Sequence, residues 1–472
     1  MTGQEPAVAR VPVELWKKIL STAVAVGFSP ALEDGLIENM SVFSDECTVV
    51  STYKVAEQTL NRLRRVCHSW NEFLLDFINK GSFVTCVPAY WHRPEEWPSS
   101  NRLSKARRIQ IVHTYECLCD TPCYLSLRWR REHSLAHSPS EVGGLERIYS
   151  SADGPLAVTS LHGALYEFDF ADSRKMMPNL RILSLRRDRT AASALPMRQL
   201  SEAYPRLTHL EVLDVGPDTF DPGLDLPSLT TLSLQPNRTP TVLYTRWGDP
   251  RIWNLPSLRY LFIKGIYTSH FITSHIEPLL RATGSQLRGL SIARDLAHFS
   301  GRIGFEFPDT IWEQCPNLEC IGGTALSLLH MPVPPRTVPV RTVFLNAIFG
   351  VDWMPNTTEI KVRETPDIVA AVAKRWPNVE SFQLQITWDR FLLKFFHKPK
   401  QHRAEWINFL VPFGLFQRRH GCPLRDVNGV AFDDDKVYWV RQKVQMEAVI
   451  LAQTLPTTSW TNVLSPGSSR VM

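Results

Sequence analysis

The sequence predicts an α/β protein in which an N-terminal helical module is followed by an irregular leucine-rich-repeat-like solenoid. Three observations carry this expectation. Apolar residues recur at three- and four-residue spacings near the N-terminus. A short motif, P-x-L-x-x-L-x-L, returns many times after residue 140. The composition, 44% hydrophobic and 21% charged over 472 residues, is that of a chain able to bury a large core.

The first helix is expected in VPVELWKKIL, residues 11–20. Pro12 stands where a helix has no N–H to lose, and Glu14 falls in the first turn, where the macrodipole favours a negative charge. Leu15 and Ile19 are four apart, and Trp16 and Leu20 repeat the spacing one step on, which makes a wide apolar face. Lys17 and Lys18 are expected in water. A second helical segment, roughly Lys54 to Lys80, carries Leu63, Val66, Cys67, Trp70 and Leu74 at helical spacing, with Arg62, Arg64 and Arg65 between them.

P-x-E-L-x-x-x-I followed by L-x-x-V-C-x-x-W resembles the F-box, through Pro12, Glu14, Leu15, Ile19, Leu63, Val66, Cys67 and Trp70. The form is most similar to the F-box proteins expanded in basidiomycete fungi, where the two halves are often separated by a long insertion. The resemblance implies an F-box module over residues 1–80, with an insertion at 21–53, that binds the Skp adaptor of a Skp/cullin/F-box ubiquitin ligase. Carried over position by position, the adaptor-binding residues are Val11, Pro12, Leu15, Ile19, Val66 and Trp70. Val11 departs from the more usual leucine, and the insertion changes the spacing between the halves.

After a linking segment at 81–140, the repeated motif places Leu180, Leu183 and Leu185; then Leu207, Leu210 and Val212; then Leu229, Leu232 and Leu234. Leu258, Leu261 and Ile263 follow, then Leu287, Leu290 and Ile292, and later Val379, Phe382 and Leu384, with weaker copies near Leu145, Leu318 and Val340. The last two apolar positions of each copy are two residues apart, the period of a strand face, so each copy predicts one short strand. Successive first positions from Leu180 to Leu287 are separated by 27, 22, 29 and 29 residues, close to the leucine-rich-repeat period of about 20 to 29. The solenoid is therefore expected over 141–390, with a helix such as Thr268 to Thr283 on its convex side. A C-terminal cap is expected at 391–455 and a disordered tail at 456–472.

By alternation, the side chains between the inward leucines are expected on an open concave surface: Ile182, Ser184 and Arg186, then His209 and Glu211, then Tyr260, Phe262 and Lys264, then Gln383 and Gln385. Arg186, His209, Glu211, Tyr260, Phe262 and Lys264 are the candidates for binding a protein substrate. The two aromatics are expected as anchors, unless another segment of the chain covers them.

Other functions are disfavoured. A net charge of +5 on 52 basic and 47 acidic residues is too diffuse for a nucleic-acid binder. No apolar run is long enough for a membrane span, and the start, MTGQEPAVAR, has no signal-peptide pattern. Nine scattered cysteines suggest reduced thiols in a cytoplasmic or nuclear compartment. His113, Cys117, Cys119 and Cys123 lack the paired spacing of a zinc site, and Asp433, Asp434 and Asp435 lack that of a calcium loop. No nucleophile elbow, phosphate loop or zincin helix is present, so neither an enzyme nor a cofactor is expected. The expected function is substrate recognition for the ligase. The competing one is an interaction scaffold with a degenerate F-box and no ligase role.

Overall fold

The structure is a computed structural model. It describes, wholly or in most part, residues 12–28, 60–79, 83–88, 103–112, 148–165, 169–186, 197–215, 224–236, 253–265, 276–294, 308–323, 328–345, 376–388 and 423–432, with six further residues between 438 and 449. The chain divides into two compact units, residues 1–265 with 270–286, and residues 266–269 with 287–472.

In the first unit, helix α1 spans Val13–Phe28. A short helical stretch at residues 60–64 leads through a turn into α2, His68–Asn79. Seven strands follow: β1 Phe83–Pro88, β2 Ala106–Val112, β3 Ser160–Leu165, β4 Ile182–Arg186, β5 His209–Val215, β6 Thr231–Pro236 and β7 Tyr260–Gly265. Each pairs in parallel with the next in chain order. Short helices α3 (Phe170–Met176), α4 (Met197–Ala203) and α5 (Glu277–Thr283) belong to the same unit.

The second unit holds β8 Gly289–Arg294, helix α6 Ile311–Gln314, and β9 Cys320–Gly323, β10 Thr342–Leu345, β11 Ser381–Leu384 and β12 Leu424–Arg425. These strands also pair in parallel and in chain order. Its last strand is braced by side chains. Trp388 donates its indole N–H to the Val430 carbonyl at 2.8 Å and lies 5.0 Å from the Phe432 ring, while the Asp426 carboxylate accepts the backbone N–H of Val430 at 2.9 Å.

Parallel strands need crossover connections, and the motif supplies a compact one. The backbone N–H of Thr208 and His209 both reach the Arg181 carbonyl, those of Thr230 and Thr231 reach Thr208, and those of Arg259 and Tyr260 reach Thr230. One carbonyl per connection thus starts the next strand in register. The leucines explain the rest: Leu183, Leu185, Leu210, Val212, Leu232, Leu234, Leu261 and Ile263 are all fully buried on one face.

The opposite face overturns the expected fold class. Ile182, Ser184, His209, Glu211, Thr231, Ser233, Tyr260 and Phe262 are also buried, none above 8% exposed. A solenoid with an open concave surface would leave that row in water. Burial on both faces is instead the condition of parallel sheets in α/β proteins. The strands already begin at Phe83, and the described helices between them are few and short. The chain is an α/β fold dominated by parallel sheet, not an N-terminal helical module followed by a leucine-rich-repeat-like solenoid. The misreading has a simple cause, since a period of two reports which side chains share a face and is silent on what covers it.

Candidate functional site

Of the residues carried over from the resemblance, Leu15 and Ile19 lie on α1, Trp70 lies on α2, and Pro12 and Val66 stand just before these helices. The Pro12 carbonyl accepts the N–H of Leu15 at 3.0 Å and of Trp16 at 3.1 Å, which starts α1. On α2 the Cys67 carbonyl accepts the N–H of Asn71 at 3.1 Å, and Arg64 donates its Nε–H to Asn71 Oδ1 at 2.9 Å, bridging the turn at residues 65 and 66. The helices meet through a small core of Leu20, Leu60 and Leu74, with Leu63, Trp70 and Phe73 packed on it. The Trp16 and Trp70 rings add a tilted contact at 5.1 Å between centroids.

The wide apolar face of α1 is therefore divided. Trp16 and Leu20 turn inward toward α2, while Leu15 and Ile19, one step back on the helix, remain 48% and 45% exposed. Val66, in the turn before α2, is 59% exposed, and Val13 and Leu75 are exposed too. Pro12 is also exposed. Trp70 differs from the other expected contact residues: it is half-buried in the seam, against Trp16. Val11 lies outside the described residues.

Cys67 sits on this surface with an exposed thiol. Its hydrogen bond with the Ser69 hydroxyl at 3.3 Å, aided by the Trp70 backbone, holds the thiol below its ordinary pKa. His68 and Glu72 approach to 3.5 Å at high exposure, a weak contact that depends on protonation of the imidazole.

The expected substrate-binding residues fall elsewhere and do not form an open surface. His209 and Glu211 lie on β5, and Tyr260 and Phe262 on β7. Register places His209 and Tyr260 on either side of Thr231, and Glu211 and Phe262 on either side of Ser233. All four side chains are buried. Arg186 and Lys264 contribute backbone to β4 and β7, and their side chains lie outside those described.

The same face holds polar groups that were not singled out as site candidates. Ser184 donates to the Glu211 carboxylate at 2.7 Å, Ser160 Oγ lies 2.8 Å from His162 Nε2, and Thr208 Oγ1 lies 2.8 Å from His209 Nδ1. Arg108 is buried beside them on β2. Burial disfavours the charged imidazolium, so the His209 pKa is pushed down to about 4. For His162 burial acts first and is reinforced by Arg108 and His209, driving its pKa well below the ordinary value. The signal for this set was available as polar residues at alternate positions of otherwise apolar strands.

Among the described residues, no group of three or more His, Cys, Asp or Glu is placed to hold a metal ion. The cysteine group at 113–123 and the acidic run at 433–435 lie outside them. No helix among the described residues is long and apolar enough to cross a membrane. Comparison with known proteins adds no relative: no family model matches this chain, and no curated protein does so.

Proposed function

We propose that this chain is a substrate-recognition adaptor of a Skp/cullin/F-box ubiquitin ligase, docking the Skp adaptor through α1 and α2 and holding a protein substrate elsewhere on the chain. The observation that carries the proposal is the division of the α1 face. Leu20, Leu60 and Leu74 complete the contact between the helices, yet Leu15, Ile19 and Val66 stay in water beside it. An apolar surface of several neighbouring side chains on a helix is the usual mark of a binding site for another protein. The motif residues resembling the F-box supply three of these side chains.

In this reading α1 and α2 make the contact and the sheet has no catalytic task. Ubiquitin transfer belongs to the assembled ligase. The buried Tyr260 and Phe262 are not open anchors, so substrate contact falls to other residues.

The test is binding of a purified Skp adaptor to the full chain and to the double variant Leu15→Asp with Ile19→Asp. Both positions are about half exposed, so the variant is expected to keep its fold while charge in an apolar contact abolishes binding. Equal adaptor affinity for the two chains would contradict the assignment.

A further inference from the structure

We infer that Arg64 and Asn71 are positioning residues for adaptor docking, because their side chains clamp the turn that presents Val66. This rests on the docking role proposed above and adds to it two residues that the F-box resemblance does not name.

Val66 projects from the turn into water, while Leu60 before it and Leu74 after it are buried together with Leu20. Its place is set largely by the backbone. The N–H of Arg65 reaches the Arg62 carbonyl and that of Val66 reaches the Leu63 carbonyl, both at 3.1 Å, the three-residue bonds that close a helix end. The Cys67 carbonyl then accepts the Asn71 N–H as α2 begins. None of these bonds crosses from residue 66 to residue 67, so none fixes the angle between the two helical stretches.

Two kinds of contact do cross. The packing of Leu60 and Leu63 in the cluster with Leu74 is non-directional. The bond from Arg64 Nε–H to Asn71 Oδ1 at 2.9 Å is directional, and both residues are only partly exposed. An unbroken helix would set residues seven apart roughly 10.5 Å from each other along its axis. A direct bond between them across residues 65–67 therefore depends on the setting of the turn, and holds it. A contact side chain placed before binding spares the ordering cost at the moment of association.

The experiment measures affinity for a purified Skp adaptor of the full natural chain and of Asn71→Ala, Arg64→Met, their combination and Asn71→Asp. Alanine is a better helix former than asparagine inside α2, so Asn71→Ala is expected to keep its helix. Each single loss of the clamp is expected to weaken binding by about three- to tenfold, the ordering cost of one or two side chains. The combination should weaken it no further, since either change removes the same bond. Asn71→Asp keeps the acceptor and should restore binding to within about twofold of the natural chain. With Asn71→Ala in place, a further Val66→Ala should add little, whereas Leu15→Ala should keep its full effect, a pattern that general destabilisation does not produce. Natural affinity in both Asn71→Ala and Arg64→Met, or equal losses from Val66→Ala with and without the clamp, would overturn this inference while leaving the docking role standing. No binding by the natural chain would overturn both.

Discussion

Leu15 and Ile19 of α1 are about half exposed, whereas Leu183 and Leu185 of β4 are fully buried, and on the neighbouring strand β5 even the Glu211 carboxylate is hidden. The two regions handle side chains in opposite ways. In strands β4 to β7 both faces are withdrawn from water, so polar groups there depend on partners inside the protein, which Ser184 finds in Glu211 and the Ser233 hydroxyl does not find among the described residues. In the helix pair one stripe of α1 is buried and the adjacent stripe is not. Burying a leucine is worth about 1.5 to 3 kcal/mol. The exposed stripe of α1 suits the docking role proposed above, whereas a carboxylate buried in the sheet carries a desolvation cost that its hydrogen bonds must offset.

The largest expected effect separates the regions by stability. Leu183→Ala or Leu232→Ala removes a fully buried side chain and should destabilise by about 2 to 5 kcal/mol. Leu15→Ala should stay within about 0.5 kcal/mol, as surface changes do. Denaturant midpoints measure both, and a Leu15 effect equal to that of Leu183 would erase the contrast.

The buried imidazoles come next. His209 titrates at about 4 when folded, against about 6.5 when unfolded. Between these values the unfolded chain binds a proton that the folded chain refuses, so stability present above about pH 6.5 is lost as pH falls toward about 4. The loss is up to roughly 3 kcal/mol, and His162 acts in the same direction. Thermal melting from pH 7 to pH 4 should show it, and His209→Gln should flatten the profile; an unchanged profile would show that carboxylates carry the acid sensitivity.

A double-mutant cycle on Trp16 and Trp70 is expected to show a coupling of about 1 kcal/mol, from rings 5.1 Å apart. Trp70→Ala should then weaken adaptor binding chiefly by loosening the helix pair, which circular dichroism of the variant would register. Zero coupling would return Trp70 to the outer surface.

The smallest effect lies in the second unit. Arg288 and Glu319, and Arg341 and Glu380, approach to 3.8 Å between neighbouring connections at about half exposure or more. Arg288→Ala should cost no more than about 1 kcal/mol, falling with salt. A larger loss in chemical denaturation would mean that the connections, and not the leucines, hold those strands together.

Much of this was legible beforehand. The copies from Leu180 to Leu384 lead into strands because L-x-x-L-x-L gives an extended chain two side chains on one face, a local property of spacing. The start of α1 was legible in Pro12 and Glu14 for the same reason. The strands at Phe83–Pro88 and Ala106–Val112 were missed because neither FVTCVP nor ARRIQIV carries the leucine motif, and only pairing with a neighbour reveals them.

The sequence by itself determined which residues share a face, because helix and strand periods are set by the backbone. Tertiary structure alone decided which faces meet water. Trp16 and Leu20 were as apolar on paper as Leu15 and Ile19, and Tyr260 was as plausible an anchor as Val66. The choice fell to what packs against each: α2 takes one stripe of α1 and leaves the other, and β5 to β7 are covered on both sides. Burial is a property of two surfaces together, so no periodicity within a single segment can specify it.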